Sequence, residues 1–282
     1  MLRYAAFTTD PAGGNPAGVV LEAAGLDDAA MQRIAADVGY SETAFLTTTD
    51  GDGSRLAVRY FSPLAEVPFC GHATIASAVA LAERDGPGRR HLDTASGEVV
   101  VESRYDDDGG LVATLTSVPP SVERLDPADL DELLAALRWA ADDLDPALPP
   151  HLAYAGARHP VVAAATRRRL AALDYDFDRL GRLMAARRWT TVQLVWRESP
   201  TTFVVRNPFP PGGVVEDPAT GAAAAALGAY LRTLRLVDPP CRVTLRQGED
   251  LGRPSVLTVD VPAGDGPISV TGAAVVIPPP SG

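Results

Sequence analysis

Apolar positions recur along the chain with two different periods, which separate helices from strands. In residues 27–39 they fall at i, i+3, i+4 and i+7, and this spacing predicts an amphipathic helix that ends at Gly39. A second helix is predicted in residues 126–144, where Asp126 supplies a cap and Pro127 takes the first helical position. Both helices are short enough for an ordinary globular domain.

Short apolar and β-branched runs predict strands between these helices. In the first half they are "LRYAAF", "TAFL", "RLAVRYFS", "GEVVVES" and "LVATLTS", and the last two are joined by "RYDDDGG", which predicts a hairpin turn. "SVPPSV" then predicts a linker. In the second half the predicted strands are "LAYAGA", "TVQLVWR", "TFVVRN", "RVTLRQ", "SVLTVDV" and "ISVTGAAVVI".

Two further segments of small apolar residues match each other at a constant interval of 150 residues. Laying "AEVPFCGHATIASAVAL" over "VEDPATGAAAAALGAYL" aligns Glu66 with Glu216 and Gly71 with Gly221. In each segment a turn with Pro and Gly opens a helix that is apolar on all sides, and such a helix is buried. The duplication predicts an α+β fold of two pseudo-symmetric domains, each a β-barrel-like roll around a central helix.

The expected domain boundaries follow from this duplication. Residues 1–118 form the N-terminal roll, which strand 268–278 completes, and residues 119–267 form the C-terminal roll. A helix N-terminus presents free N–H groups and partial positive charge. If both buried helices point their N-termini at one cleft between the domains, the cleft binds a small anion such as a carboxylate.

Composition and charge remove several classes of function. The 282 residues carry a formal net charge of −11, which argues against a nucleic-acid partner. All 25 basic residues are Arg, and without lysine neither a Schiff base nor a Walker A phosphate loop is possible. The apolar runs are too short for a membrane span. With two distant cysteines and no apolar leader, we expect a cytoplasmic protein without disulfides.

A family resemblance covers most of the chain. "AFTTDPAGGNPAGVV", "YSETAFL", "FSPLAEVPFCGHATIASAVALAE", "EDPATGAAAAALGAYL" and "RQGEDLGRPS" resemble the phenazine-biosynthesis PhzF-like isomerase family, in the same order and spread over residues 6–255. The resemblance implies the diaminopimelate epimerase-like fold, with an active site in the interdomain cleft, and a homodimer. It also implies an isomerase that shifts a proton on a small carboxylate-bearing metabolite without a cofactor.

The same resemblance implies the catalytic residues. Glu42 of "YSETAFL" corresponds to the family's proton-transferring acid, and His72 of "GHAT" and Asp217 of "EDPATG" lie beside the substrate in the family. Without the resemblance, three other roles are open. Glu42 could be an exposed glutamate at a strand end, His72 could cap its own helix, and Asp217 could be an ordinary helix cap.

The expected substrate-binding residues surround these three. Ser41 precedes the acid, and the backbone N–H groups near Gly71 and Gly221 are expected to receive the substrate carboxylate. Ala222 stands where the family commonly has Ser, so a hydroxyl near the carboxylate is missing. The natural substrate therefore need not be the phenazine precursor. Ala222 also motivates a second hypothesis, a non-catalytic small-molecule binder with the same fold.

Cys70 raises a third hypothesis, a cysteine-dependent epimerase. Diaminopimelate epimerase uses one cysteine from each domain, but the second copy of the repeat contains none, so we expect Cys70 to be a small buried residue. The run Arg167–Arg169 predicts a solvated face. His91, His151 and His159 show no metal-ligand spacing with Cys70, and we predict neither a metal nor a cofactor.

Overall fold

A computed structural model describes residues 1–51 and 53–278, and the chain separates into two compact units. Unit 1 comprises residues 1–116 together with the chain from Thr271, and unit 2 comprises residues 117–270. In both units strands surround a helix of small residues, which confirms the predicted α+β class.

The elements of unit 1 run in the order β1 (Leu2–Ala6), β2 (Asn15–Val20), α1 (Asp28–Val38), β3 (Glu42–Thr48), β4 (Arg55–Phe61), β5 (Glu66–Val67), α2 (Gly71–Asp85), β6 (Arg89–Thr94), β7 (Gly97–Tyr105) and β8 (Leu111–Thr116). Unit 2 contains β9 (Ser121–Arg124), α3 (Pro127–Leu137), β10 (His151–Tyr154), β11 (Arg158–Ala163), α4 (Arg167–Ala171), α5 (Phe177–Arg187), β12 (Gln193–Arg197), β13 (Thr202–Phe209), β14 (Val214–Asp217), α6 (Gly221–Thr233), β15 (Cys241–Gln247) and β16 (Ser255–Val261). Short 3₁₀ helices cover Ala141–Asp143, Pro210–Gly212 and Glu249–Leu251, and β17 (Ser269–Val276) returns to unit 1.

Within the described residues of unit 1, eight strands close into a barrel. Each pairs with the next in the order β1, β2, β3, β4, β6, β7, β8 and β17, and β17 pairs back with β1. The pairs β2–β3 and β4–β6 are parallel. Closure leaves the barrel without a free edge, so no strand of the ring is open to pairing with another chain.

Helix α2 fills the inside of this barrel. It contacts β1, β2, β3, β7 and β8, and every residue from His72 to Ala82 is buried. Alanines, a serine and a threonine make up most of this segment because the strands leave little room for larger side chains. The prediction that an all-apolar helix lies at the centre of the roll is confirmed.

Unit 2 repeats the strand order of unit 1. The pairs β10–β11, β12–β13 and β15–β16 are antiparallel, as are the corresponding pairs β1–β2, β3–β4 and β6–β7 of unit 1. The pairs β11–β12 and β13–β15 are parallel, as are β2–β3 and β4–β6 of unit 1. Helix α6 follows β14 as α2 follows β5, and it begins at Gly221 as α2 begins at Gly71. The predicted duplication is therefore present in the backbone topology.

An arginine–glutamate pair is duplicated with the backbone. In unit 1, Arg59 on β4 makes two hydrogen bonds to Glu66 on β5. In unit 2, Arg206 on β13 binds Glu216 on β14 in the same way. The unit 1 side chains are 36% and 38% exposed, whereas those of unit 2 are 9% and 0% exposed. The same ion pair is thus hydrated in one copy and buried in the other.

Other helices cover the outside of the sheets. Asp27 caps α1, Gly39 ends it in the left-handed conformation, and its buried Met31 and Ala35 pack against Phe45 and Phe61 of β3 and β4. In unit 2 a larger apolar cluster joins α3, α4 and α5 to β11, β12 and β13, with Trp139 and Trp189 among its buried residues.

Several sequence-based boundaries need correction. The second predicted helix begins at Pro127 after the Asp126 cap as expected, but it ends at Leu137 rather than at residue 144. The predicted linker of residues 117–122 already contains the start of β9. The sequence analysis did not predict strands β2, β5, β6, β9, β11 and β14 or helices α4 and α5. In residues 1–51 and 53–278, each helix is too short or too polar to cross a lipid bilayer.

Candidate active site

Glu42, Cys70 and His72 meet at one end of the unit 1 barrel. Glu42 is the first residue of β3, Cys70 precedes α2 as its N-cap, and His72 lies in the first turn of α2. The Glu42 Oε2 atom lies 3.4 Å from His72 Nε2 and 3.5 Å from Cys70 Sγ, and Cys70 Sγ lies 3.3 Å from His72 Nδ1. An acid, a thiol and an imidazole therefore form one cluster, which we call the Glu42 cluster.

The backbone explains why Glu42 lies at the rim. Its parallel partner in the β2–β3 pair is Ala17, the first position of the register, so β3 enters the sheet at Glu42. The following residues, from Thr43 to Leu46, are buried. The Glu42 side chain is 16% exposed and that of His72 is 7% exposed. Glu42 thus lies at the boundary between solvent and core, and its side chain is only partly hydrated.

Hydrogen bonds fix the start of α2 beside Glu42. The carbonyl of Cys70 accepts from the Thr74 backbone N–H at 3.1 Å and from the Thr74 hydroxyl at 2.7 Å. The Thr74 hydroxyl also contacts the Tyr60 hydroxyl at 2.7 Å inside the barrel. The first N–H groups of a helix have no intrahelical acceptor, so those near Gly71 and His72 present a partial positive charge to the cluster.

Ser41 is brought into the same cluster, because its Oγ lies 3.4 Å from His72 Nε2. Two of the alternative roles are wrong. Glu42 is not an exposed strand-end residue, since it is largely buried against Cys70 and His72. His72 is not a helix cap, since Cys70 occupies the N-cap position.

The remaining predicted residues belong to unit 2. Asp217 ends β14, is 8% exposed and accepts a hydrogen bond from the Thr220 hydroxyl at 2.5 Å. Its role as an ordinary helix cap is wrong, because Thr220 is the N-cap of α6. The Gln247 side chain supports the turn by donating to the Asp217 carbonyl at 2.8 Å. Gly221 opens α6 and is buried, and Ala222 is half-buried at the second helical position.

The duplicated topology shows which residue in unit 2 stands in the place of Glu42. Glu42 pairs with Ala17 where the parallel β2–β3 register begins, and Gln193 pairs with Val161 where the parallel β11–β12 register begins. Gln193 is 1% exposed, and within the described residues its amide nitrogen and oxygen have no hydrogen-bond partner. An amide does not take up or release a proton near neutral pH. The acid therefore occurs in unit 1 and its neutral counterpart in unit 2.

Sequence reasoning missed the position of Cys70 in this cluster. It correctly predicted a buried residue, 7% exposed, but not the contacts with Glu42 and His72. The available signal was the spacing Cys70–Gly71–His72, because an N-cap residue and the first helical turn share one end of the helix. Sequence could not show that β3 begins at that end.

Comparison with known proteins points to one family. The sequence profile of the phenazine biosynthesis-like proteins (PhzC-PhzF) matches residues 4–278. The chain is 32% identical over 254 residues to the trans-2,3-dihydro-3-hydroxyanthranilate isomerase of Pseudomonas fluorescens, covering 89% of this chain and 86% of that protein. It is also 32% identical over 285 residues to an uncharacterized isomerase of Escherichia coli O157:H7, with coverages of 96% and 94%.

A solved structure agrees with this match. The crystal structure of a PhzF-family phenazine biosynthesis protein from Bacillus anthracis superposes with a TM-score of 0.87 at 26% identity. The superposition covers 98% of this chain and 96% of that one. The whole of the described fold, including both units, is therefore common to the two proteins.

Proposed function

Because the chain belongs to the phenazine biosynthesis-like protein family, we propose that it is an isomerase that moves a proton between two carbon atoms of a small carboxylate-bearing metabolite without a cofactor. The isomerase class is supported by relatives that bear this name across most of the chain. The observation that carries the proposal is the Glu42 cluster, in which a largely buried carboxylate touches an imidazole and a thiol.

In the proposed mechanism, Glu42 is the proton shuttle. Its carboxylate accepts a proton from one carbon of the bound substrate, and the electron pair of the broken C–H bond delocalises over the adjacent unsaturated system. The carboxyl group then returns the proton to a second carbon, so the product has the same mass and Glu42 regains its charge. Partial burial suits this role because it holds the carboxylate in one place beside His72 and Cys70.

His72 and Ser41 are proposed to hold the shuttle and the substrate in place. His72 Nε2 lies 3.4 Å from both Glu42 Oε2 and Ser41 Oγ, so the ring can orient the carboxylate or donate to a substrate hydroxyl. These distances are long for strong hydrogen bonds. Contacts of this kind commonly shorten when a substrate completes the site.

We propose that the N–H groups at the start of α2, near Gly71, receive the substrate carboxylate, and Gly221, Asp217 and Ala222 of unit 2 stay predicted substrate-binding residues. The support is the duplication, because α2 and α6 begin at equivalent glycines and each begins with free N–H groups. Because Ala222 has no hydroxyl, the start of α6 offers fewer polar groups than it would with a serine there.

The name of the Pseudomonas fluorescens relative suggests the substrate class. A dihydro-hydroxyanthranilate is a cyclic, unsaturated amino acid, and the double bonds beside its C–H groups make proton removal feasible. We propose that the substrate of this chain shares the carboxylate and the adjacent unsaturation. The difference at Ala222 leads us to expect a different ring substituent, and the homodimer and the cytoplasmic location stay predictions.

The proposal is tested by proton exchange in heavy water. The protein is incubated with a panel of small unsaturated carboxylates, including trans-2,3-dihydro-3-hydroxyanthranilate, and the carbon-bound protons are followed by NMR. We expect at least one compound to isomerise or to exchange a C–H proton for deuterium. Glu42→Gln should reduce that rate by about 10³-fold or more while binding, measured by calorimetry, changes little.

A control variant and two contrary outcomes make the test decisive. Glu66→Gln removes a carboxylate of unit 1 that lies outside the cluster, and exchange should continue at the wild-type rate. If Glu42→Gln exchanges as fast as the wild type, Glu42 is not the shuttle. If the wild-type protein binds a compound of the panel and exchanges none of its protons, the chain is a binder rather than an isomerase.

A further inference from the structure

The donor atoms of the Glu42 cluster have the chemistry of a metal site. Thiolate sulfur, imidazole nitrogen and carboxylate oxygen are the three ligand types that bind Zn²⁺ in proteins. Ligand atoms of Glu42, Cys70 and His72 lie within 4.8 Å of one another. A search by sequence spacing passes over this group, because Glu42 is 28 residues from Cys70 and only the fold brings them together.

We propose that Glu42, Cys70 and His72 bind one Zn²⁺ ion, or a similar divalent ion of intermediate softness, and that this ion blocks the site. In a tetrahedral zinc site, typical bond lengths place neighbouring ligand atoms about 3.3 to 3.6 Å apart. The corresponding separations here are 3.4 Å between His72 Nε2 and Glu42 Oε2 and 3.5 Å between Cys70 Sγ and Glu42 Oε2. The third, between Cys70 Sγ and His72 Nε2, is 3.8 Å. Cys70 Sγ lies nearer to His72 Nδ1, at 3.3 Å, than to Nε2, so the imidazole ring must turn before Nε2 and the other two ligand atoms can surround one ion.

Charge balance favours the same conclusion. With Cys70 as thiolate and Glu42 as carboxylate, the two negative charges neutralise a divalent cation, and the buried assembly carries no net charge. Three protein ligands leave the fourth tetrahedral position for water or a substrate oxygen.

Binding of the metal and proton transfer exclude each other in this arrangement. A metal ion between Cys70 Sγ and Glu42 Oε2 would separate the shuttle from its neighbours in the cluster. A bound ion also occupies the lone pair of Glu42 that would accept the substrate proton. We therefore infer inhibition by the ion rather than activation. This part of the inference rests on the proposed function of Glu42, and the binding itself does not.

Cobalt binding tests the site without any substrate. The full-length protein, freed of metal by a chelator, is titrated with Co²⁺ under reducing, anaerobic conditions. We expect one equivalent to bind and to give the strong near-ultraviolet absorption of a cobalt–thiolate bond, which one equivalent of Zn²⁺ then removes. The absence of this absorption overturns the inference.

The two cysteines of the chain provide a matched pair of variants. Cys70→Ser should abolish the thiolate band, while Cys241→Ser, in β15 of unit 2, should keep it. Glu42→Gln should retain a cobalt–thiolate band but weaken affinity by about 10-fold or more. Thermal unfolding of each variant shows that loss of binding is not loss of fold. A band that survives Cys70→Ser, or that Cys241→Ser removes, contradicts the assigned ligands.

The blocking effect is measured once an exchanging compound is known. One equivalent of Zn²⁺ should reduce proton exchange at least 10-fold, and a chelator should restore it. If proton exchange is unchanged when Co²⁺ fully occupies the site, the ion does not block the site. Because the cobalt spectrum needs no substrate, a chain without isomerase activity would fail the heavy-water test and still show the band, so the two failures are distinguishable.

Discussion

Glu42 Oε2 lies 3.4 Å from His72 Nε2, although the two residues come from different elements, a strand end and the first turn of a central helix. The contact exists because β3 lines the barrel that α2 fills, so the start of the strand and the start of the helix share one rim. Neither element alone makes a site. The barrel places an acid, which a strand end would normally leave in water, beside an imidazole in a largely dry environment.

His72 should matter more than Ser41 for proton transfer. Substituting His72→Gln removes the ring that contacts both Glu42 and Ser41, and we expect the exchange rate to fall by about 10²-fold. Ser41→Ala leaves the Glu42–His72 contact in place and should lower the rate by about 10-fold at most. Single-turnover NMR in heavy water measures both. Equal rates for the two variants would show that His72 does not position the shuttle.

The duplicated arginine–glutamate pair allows burial to be varied while the chemistry stays the same. Arg206→Met leaves the fully buried Glu216 carboxylate without its main partner, and we expect the free energy of unfolding to fall by about 3–5 kcal/mol. Burial already raises the pKa of Glu216, against the opposing effect of Arg206. Arg59→Met breaks the exposed pair with Glu66 and should cost much less. Urea unfolding compares the two variants.

A rescue variant completes this test. Replacing both partners, as Arg206→Met with Glu216→Leu, removes the buried charge along with its counterion and should recover much of the lost stability. Equal losses for Arg59→Met and Arg206→Met would show that burial does not set the contribution of the pair.

His159 should make the protein less stable in mild acid. It is fully buried, its Nδ1 contacts the Thr191 hydroxyl at 2.9 Å, and burial lowers its pKa from 6.5 to about 4. Between these values the unfolded chain binds a proton that the folded chain does not, so stability falls as the pH falls from 6.5 towards 4. We expect His159 to contribute a loss of about 2 kcal/mol between pH 7.5 and pH 5.

Urea unfolding at the two pH values checks this expectation. His159→Gln should be less stable than the wild type at pH 7.5 but should lose less stability on acidification. His151→Gln, a half-buried histidine of the same unit, serves as the control and should keep the wild-type difference. A wild-type difference that persists in His159→Gln would assign the acid sensitivity to other groups.

The central helices were predictable because their signal is local. Small apolar residues on all sides, opened by a glycine, indicate a buried helix wherever they occur, and both α2 and α6 begin at the aligned glycines, Gly71 and Gly221. The residues of the site were predictable for a different reason. Glu42, His72 and Asp217 come from the family resemblance, and no periodicity in the chain distinguishes them from other polar residues.

The missed strands show what sequence patterns hide. Pro16 lies in β2 and Pro160 in β11, each one residue before a parallel register begins, and proline within a run argues against a strand. The fold tolerates both at the same place in each copy of the repeat. Cys70 joined the site through pairing between distant segments, which composition and spacing do not encode.

The last strand has a consequence for how the protein is made. A ribosome releases β1 to β8 first, then all of unit 2, and only afterwards β17, which pairs with both β1 and β8. During translation the unit 1 barrel lacks one strand, and its interior stays accessible until β17 has been synthesised. The unit 1 barrel can therefore close only after unit 2 has been synthesised.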